Sequence, residues 1–280
     1  MEVLVFFALG LATAALFIPL LIRIIVAAGH IGYNYRGDRI PVSVGVAFFI
    51  VPSALLLGAL NAHPGGAYQA LVPAFVMVTG GMTFLGLVDD LYGTRRTTGL
   101  RGHLRLLLRG DCTTGALKAI GGLAIAFLVS WVTTPRGGAE VLLNALVIAL
   151  AANALNLLDL RPGRAGKGFF LGGGLLSAVA WGSPFLVFPA VVAGALAAYL
   201  PTDLKARGMM GDAGANVLGV TLGLTAAWVL AWPAKLGVLG FLIGLHLLTE
   251  RYSLTQLIAR NRVLDFVDRL GRKREEFPKK

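Results

Sequence analysis

The chain has 280 residues, 56% of them hydrophobic and only 14% charged, with a mean hydropathy of +0.77. That is more apolar surface than one water-soluble core of this size can hide, so lipid must cover the excess. A net charge of +11 would suggest nucleic acid in a soluble protein, but here the basic residues sit in short runs between apolar stretches, as positive-inside topology requires. No nucleic-acid partner is expected. The single cysteine, Cys112, excludes an internal disulfide framework and a Cys-based zinc site.

Nine apolar stretches follow in chain order: Val3 to Val26, Ser43 to Leu60, Ala70 to Val88, Ala116 to Val132, Val141 to Leu158, Gly168 to Trp181, Pro184 to Leu200, Ala213 to Trp232 and Leu236 to Leu248. The first is too long for a signal-peptide core and reads as a retained span. The sixth and ninth fall short of the roughly 20 residues a perpendicular span needs, so they extend into flanking polar residues or one is re-entrant. The predicted fold class is all-α, a polytopic membrane helix bundle of about nine transmembrane helices. From Glu250 to Lys280 the chain is too charged to span. Leu254, Leu257, Ile258, Leu264, Val267 and Leu270 recur there at helical spacing among Arg260, Arg262, Arg269 and Arg272. This pattern predicts an amphipathic helix in the cytoplasmic interface, with a helix packed on the cytoplasmic loops as the alternative. Residues 1–249 form the transmembrane domain in this reading and residues 250–280 the tail.

Among 25 Lys and Arg, only Arg136 and Lys235 fall in the connections after the second, fourth, sixth and eighth stretches. The other connections and the tail are therefore placed in the cytoplasm and the N-terminus outside. The acids are just as unevenly spread. Of 14 Asp and Glu, Glu2 and Glu140 alone lie on the external side.

Carboxylates beside a membrane are costly unless they face water, a cation or a partner. Four stand at helix ends: Asp89 and Asp90 in GLVDDLYG, Asp159 in NALNLLDL and Asp212 in GDAGAN. Adjacent Asp89 and Asp90 repel each other unless a cation lies beside them, and a hard ion such as Mg²⁺ suits oxygen ligands while leaving room for phosphate. A solvated turn would also accommodate the pair. Asp212, between Gly211 and Gly214, either holds a metal or simply caps the helix it opens. Asn153 and Asn156 share one helical face that Asp159 extends; they offer donors and acceptors to a polar ligand or to a neighbouring helix. Arg36, Arg39, Arg101, His103, Arg105, Lys118, Arg161, Arg164 and Lys167 complete a basic ring able to neutralise several phosphates, although each alone also serves as a positive-inside anchor.

Taken in order, NYRGDRIPVSVG, GLVDDLYG, GLRGHLRLL with TTGALK, NALNLLD and GDAGANVLG resemble the polyprenyl-phosphate N-acetylhexosamine-1-phosphate transferases. That family includes the phospho-N-acetylmuramoyl-pentapeptide and undecaprenyl-phosphate N-acetylglucosamine-1-phosphate transferases. The resemblance covers about Asn34 to Gly219. It implies a glycosyltransferase of the bacterial cytoplasmic membrane that moves a sugar 1-phosphate from a UDP-sugar to a polyprenyl phosphate with Mg²⁺ as cofactor, releasing UMP in cell-wall (peptidoglycan) or surface-glycan synthesis.

The resemblance also implies roles. Asp89 deprotonates or positions the lipid phosphate, Asp90 is its partner, and Lys118 is a basic residue near the phosphates. Asp212, with Asp90, holds the metal. Asn156 precedes the substrate loop. From the amide face and the basic ring, rather than from the resemblance, Arg36, Asn153, Asp159, Arg161, Arg164 and His103 join it as candidates for binding substrate. The expected partners are the polyprenyl phosphate, the UDP-sugar and the membrane, with room for a homodimer. For such a site to exist, Asp212 must lie within about 12 Å of Asp89 and Asp90, the reach of a water-bridged shared ion.

Three departures stand out. The family's Asp-Gly-Leu-Asp-Gly-Leu-Ala stretch is replaced by Asp159-Leu160-Arg161-Pro162-Gly163-Arg164-Ala165, so an acid gives way to basic residues. The histidine motif of the last cytoplasmic loop is absent, and the final helix of the peptidoglycan enzyme has no counterpart. A non-catalytic relative that binds polyprenyl phosphate or a membrane partner is the alternative these departures raise. A transporter would instead place ionisable residues near helix midpoints.

Overall fold

In lipid the backbone must satisfy its own hydrogen bonds, which leaves the helix as the form open to each isolated apolar run. The computed structural model describes residues 1–62, 68–93, 113–135 and 137–272. Every apolar stretch forms a helix there. In chain order they are α1 (Glu2–Ala27), α2 (Ala47–Ala62), α3 (Val72–Tyr92), α4 (Thr114–Thr133), α5 (Gly138–Leu158), α6 (Arg164–Val179), α7 (Val187–Leu204), α8 (Gly211–Val229) and α9 (Trp232–Arg251). Among the described residues, six segments are long and apolar enough to cross a membrane: Glu2–Ala27, Gln69–Tyr92, Thr114–Thr133, Gly138–Leu158, Pro184–Leu204 and Trp232–Arg251. The chain is a multi-pass helical membrane protein.

The remaining three helices, which the expected count of about nine spans includes, fall outside that set of six for physical reasons. α2 and α6 have 16 residues each and reach only about 24 Å. α8 is long enough at 19 residues but is rich in Gly and Thr, and from Ala213 to Ala227 nearly every residue is buried. It runs through the centre of the bundle, packed on α5, α3 and α6, and does not need a lipid-facing surface. Its buried hydroxyls return to their own helix, Thr221 donating to the Val217 carbonyl at 2.8 Å and Thr225 to Thr221 at 2.7 Å.

Small residues set the closest crossings, as in other membrane bundles. A Cβ at Gly10 or Gly194 would overlap the opposing backbone where α1 crosses α7, and one at Gly86 would overlap the backbone of Asp212 and Ala213 where α3 meets α8. α9 is the least covered helix and is tied to α5 by an ion pair: Lys235 Nζ lies 2.8 Å from Glu140 Oε1, with side chains 4% and 11% exposed.

Two elements were not anticipated. Between α1 and α2 the chain makes a short antiparallel hairpin, β1 (Ile31–Tyr33) against β2 (Arg39–Pro41). Its turn is built by Asn34, whose Oδ1 accepts the N–H groups of Arg36 at 2.8 Å and Asp38 at 2.9 Å, and by Gly37 at a φ of +88°. The tail is two short helices, α10 (Leu254–Arg260) and α11 (Arg262–Arg269), where one continuous helix was expected. The break falls at Asn261, whose side chain leaves the helix path to cap α11 by accepting from Val263 and Leu264 N–H.

Gly86→Ala forces a Cβ against backbone and is expected to destabilise the protein by about 1–3 kcal/mol. Thermal unfolding of detergent-purified protein measures this; an unchanged Tm would mean that the α3–α8 crossing can yield.

Candidate active site

Helices that alternate in direction bring the C-termini of α3 and α5 and the N-termini of α4 and α8 to one end of the bundle. Four of the polar residues singled out in the sequence, Asp89, Lys118, Asn156 and Asp212, meet there. Lys118 Nζ lies 2.9 Å from Asp89 Oδ2 and is also ion-paired to Asp212 Oδ2. Asn156 Nδ2 donates to that same Asp212 oxygen at 3.2 Å. One ammonium therefore bridges two carboxylates from different helices, with all three side chains partly open to solvent.

Asp90 serves a different purpose from the one expected. Its Oδ1 accepts Asp212 N–H at 2.9 Å, while its Oδ2 accepts Ala213 N–H at 3.3 Å and the Ser43 hydroxyl at 2.6 Å. Asp212 and Ala213 are the second and third residues of α8, whose own N-cap, Met210, offers no side-chain bond. Asp90 thus caps α8 from another helix, satisfying orphan N–H groups at the positive end of the helix dipole. With three donors committed, its carboxylate has little left for a metal. Asp212, for which self-capping was the alternative, points instead at Lys118 and Asn156.

Ser43 and His30 escaped the sequence reading. Ser43 holds a left-handed φ of +61° and bonds His30 Nε2 at 3.1 Å on its far side. That conformation is fixed by strand-like pairing around it: Met209 N–H donates to Pro41 O at 2.9 Å, and Val44 and Gly45 N–H donate to Met209 O and Met210 O at 3.1 and 3.0 Å. Nothing in the run RIPVSVG signals this, because the pairing partner lies far along the chain.

Beside the cluster opens a cleft of about 410 Å³ lined by Asn34, Tyr35, Asp90, Asp159, Arg161 and Asp212, among others. Burial, then the nearby carboxylates of Asp203, Asp212 and Asp90, push the Asp159 carboxyl well above the usual carboxylate range. Arg161 stacks on the Tyr35 ring with its guanidinium carbon 4.6 Å from the centroid, and exposed Arg36 holds the Tyr35 hydroxyl at 2.8 Å. Asn153 lies exposed, one turn from Asn156. Arg164 is placed away from the cleft, because its guanidinium is buried against Asp268 of the tail. His103, with Arg101, Arg105, Cys112 and Arg136, lies outside the described residues. Asp203 was also missed, although it stands at a helix end in LPTDLK like the acids that were singled out; its Oδ2 accepts Gly163 N–H at 2.7 Å.

Among the described residues, no group of three or more His, Cys, Asp or Glu side chains could hold a metal by itself. Mg²⁺ needs fewer, since it binds through one or two carboxylates, waters and substrate phosphates. Asp89 and Asp212 fit that requirement better than the expected pair of Asp90 and Asp212, because a cationic group already sits between them.

Fold and site together define a multi-pass membrane protein whose polar centre is assembled from helix ends at one edge of the bundle. The chain belongs to glycosyl transferase family 4, whose model matches residues 72–230, from the start of α3 to the end of α8. It is also 28% identical over 208 residues to the decaprenyl-phosphate N-acetylglucosaminephosphotransferase of Mycolicibacterium smegmatis. That match covers 64% of this chain and 47% of the relative, so the chain spans about half the length of the curated protein it resembles.

Lys118→Met would leave Asp89 and Asp212 facing each other without a cation, and is expected to cost about 2 kcal/mol or more of stability. Millimolar MgCl₂ should then raise the Tm of the variant by more than it raises that of the unaltered protein. A Tm insensitive to Mg²⁺ in both proteins would show that the two acids are not a cation site.

Proposed function

We propose that the protein transfers a sugar 1-phosphate from a UDP-sugar to a polyprenyl phosphate such as undecaprenyl phosphate, with Mg²⁺ and with release of UMP. The observation that carries this reading is the Lys118 ammonium held between Asp89 and Asp212, with Asn156 on the same oxygen, inside the region matched by glycosyl transferase family 4. The orientation that fits is the one the basic residues favour, with the cluster at the cytoplasmic end and the N-terminus outside. The lipid phosphate then arrives from the inner leaflet and the nucleotide from the cytosol. The setting is the bacterial cytoplasmic membrane, in cell-wall or surface-glycan synthesis.

In the reaction a lipid phosphate oxygen attacks the phosphorus attached to the sugar, and the bond from that phosphorus to the oxygen it shares with the UMP phosphate breaks. Such transfers depend mainly on in-line positioning and charge neutralisation. Mg²⁺, held by Asp89 and Asp212, would supply neutralisation of the diphosphate. Lys118 offers three N–H donors on a flexible stem and shifts from the acids to a phosphate oxygen as substrate enters. Asp89 orients the lipid phosphate and accepts any remaining proton. Asp90 fixes α8 and hence the carboxylate of Asp212. Arg161, which lines the cleft, faces the nucleotide's phosphates at its mouth, and Arg36 holds the Tyr35 hydroxyl beside it.

The named relative makes UDP-N-acetylglucosamine the first donor to assay, followed by UDP-N-acetylmuramoyl-pentapeptide, each with undecaprenyl phosphate and Mg²⁺. UMP release is expected with at least one UDP-sugar, reduced about 100-fold or more by Asp212→Asn or Asp89→Asn and abolished by EDTA. Absence of UMP with every UDP-sugar, in folded protein, would overturn the reading. Polyprenyl-phosphate binding unaffected by Asp89→Asn would then favour a non-catalytic lipid-binding relative.

A further inference from the structure

The loop between α5 and α6 carries Asp159 and Arg161 into the cleft, and it is held from behind by the tail. Arg164, 6% exposed, donates from Nε and Nη2 to the two carboxylate oxygens of Asp268, each at 2.9 Å, and from Nη1 to Thr255 Oγ1 at 3.1 Å. Lys167 Nζ donates to the carbonyls of Val267 and Asp268, both at 2.8 Å, closing the C-terminal end of α11. Arg272 reaches back from beyond α11 to donate to the Pro162 carbonyl at 2.8 Å and to Asp268. On its other flank Gly163 N–H donates to Asp203 Oδ2 at 2.7 Å, and Arg161 stacks on Tyr35.

Bidentate pairing of a planar guanidinium with a carboxylate fixes direction as well as distance. Arg164 is also the first residue of α6, so fixing its side chain fixes where the loop ends. Burial alone would raise the Asp268 carboxyl, but the hydrogen bond and charge of Arg164, with Arg272 and Lys167, hold it below the usual carboxylate range, so it is an anion at neutral pH. Val263 and Phe266 of α11 are exposed, while Asp268 is buried against the loop.

We propose that the tail is a positioning element of the site: Asp268, acting through Arg164, and Arg272, acting through the Pro162 carbonyl, set the loop so that Asp159 and Arg161 face the cleft. The basic residue at position 164 is then an anchor for the chain's own C-terminal segment and not a ligand for substrate. This rests on the transferase reading insofar as the loop serves a substrate; the clasp itself does not.

The test compares the unaltered protein with Asp268→Asn, Asp268→Glu and, as a control, Asp265→Asn, whose carboxylate pairs with Arg269 on the surface. Amide hydrogen exchange and steady-state kinetics are read on each. Loss of a charge-assisted bidentate pair should raise exchange in residues 159–164 about tenfold or more, with α8 unaffected. The KM for the UDP-sugar should rise about tenfold while kcat stays within about threefold. Asp268→Glu should recover most of both changes, and Asp265→Asn should change neither. Unaltered exchange in the loop of Asp268→Asn, or raised exchange with an unaltered KM, would overturn the proposal. If the unaltered protein released no UMP, the transferase reading and the positioning role would fall together, while the exchange result would still decide whether the tail holds the loop.

Discussion

A carboxylate on one helix fills the N-terminus of another, and the polar centre depends on that contact. α8 runs through the middle of the bundle and begins at a glycine with φ of +70°, after a residue that cannot cap it. Its first N–H groups would be orphaned at the edge of a low-dielectric interior, a penalty of about 1–3 kcal/mol for each buried donor left unpaired. Asp90 removes the penalty and at the same time fixes the distance between α3 and α8. Ser43 secures the second oxygen of Asp90 from the hairpin side, so three segments remote in sequence are bound to one carboxyl group.

With Asp90 committed to the backbone, its neighbour Asp89 is free to point elsewhere. Adjacent residues on a helix project about 100° apart, which explains how two successive acids serve unlike purposes. One faces the start of α8; the other faces α4 and meets Lys118. Glycines make the approach possible. Gly86 lies one turn before Asp90 and lets the α8 backbone come within the radius of a side chain, while a Cβ on Gly211 would displace the Asp90 carboxylate itself.

The sequence was most legible where a residue's role follows from its own chemistry and helical position. Apolar runs became helices within a few residues of their expected ends, and Asp89, Lys118, Asn156 and Asp212 converged because successive spans must reverse direction. Roles that depend on the third dimension were not legible. Asp90 and Asp212 have the same side chain, one at a helix C-terminus and the other at a helix N-terminus, and only the geometry tells the cap from the group that faces Lys118. The basic character of the 159–165 loop read as substrate binding, whereas Arg164 answers Asp268, about a hundred residues later. Ser43 escaped because its strained conformation is imposed by residues 209 and 210. The hairpin was written in Asn34 and Gly37, whose turn chemistry is local, but its strands are too short to show an alternating pattern.

Ion pairs at the two sides of the bundle show why one is a candidate centre and the other is not. Glu140 and Lys235 form a closed pair, one acid to one base, almost fully removed from solvent. Its charges cancel at short range, so it ties α9 to α5 and leaves no net charge for a ligand to balance. The cluster at the opposite end of α5 joins two acids to a single lysine, with Asp159 near enough to feel its charge. It is left net negative, partly open to water, and bordered by Arg161, which lines the cleft. An electrically incomplete cluster of oxygen donors beside a guanidinium that has no ion pair among the described residues favours a ligand that brings both a cation and phosphate oxygens. Binding such a ligand completes the charge balance that folding alone leaves open.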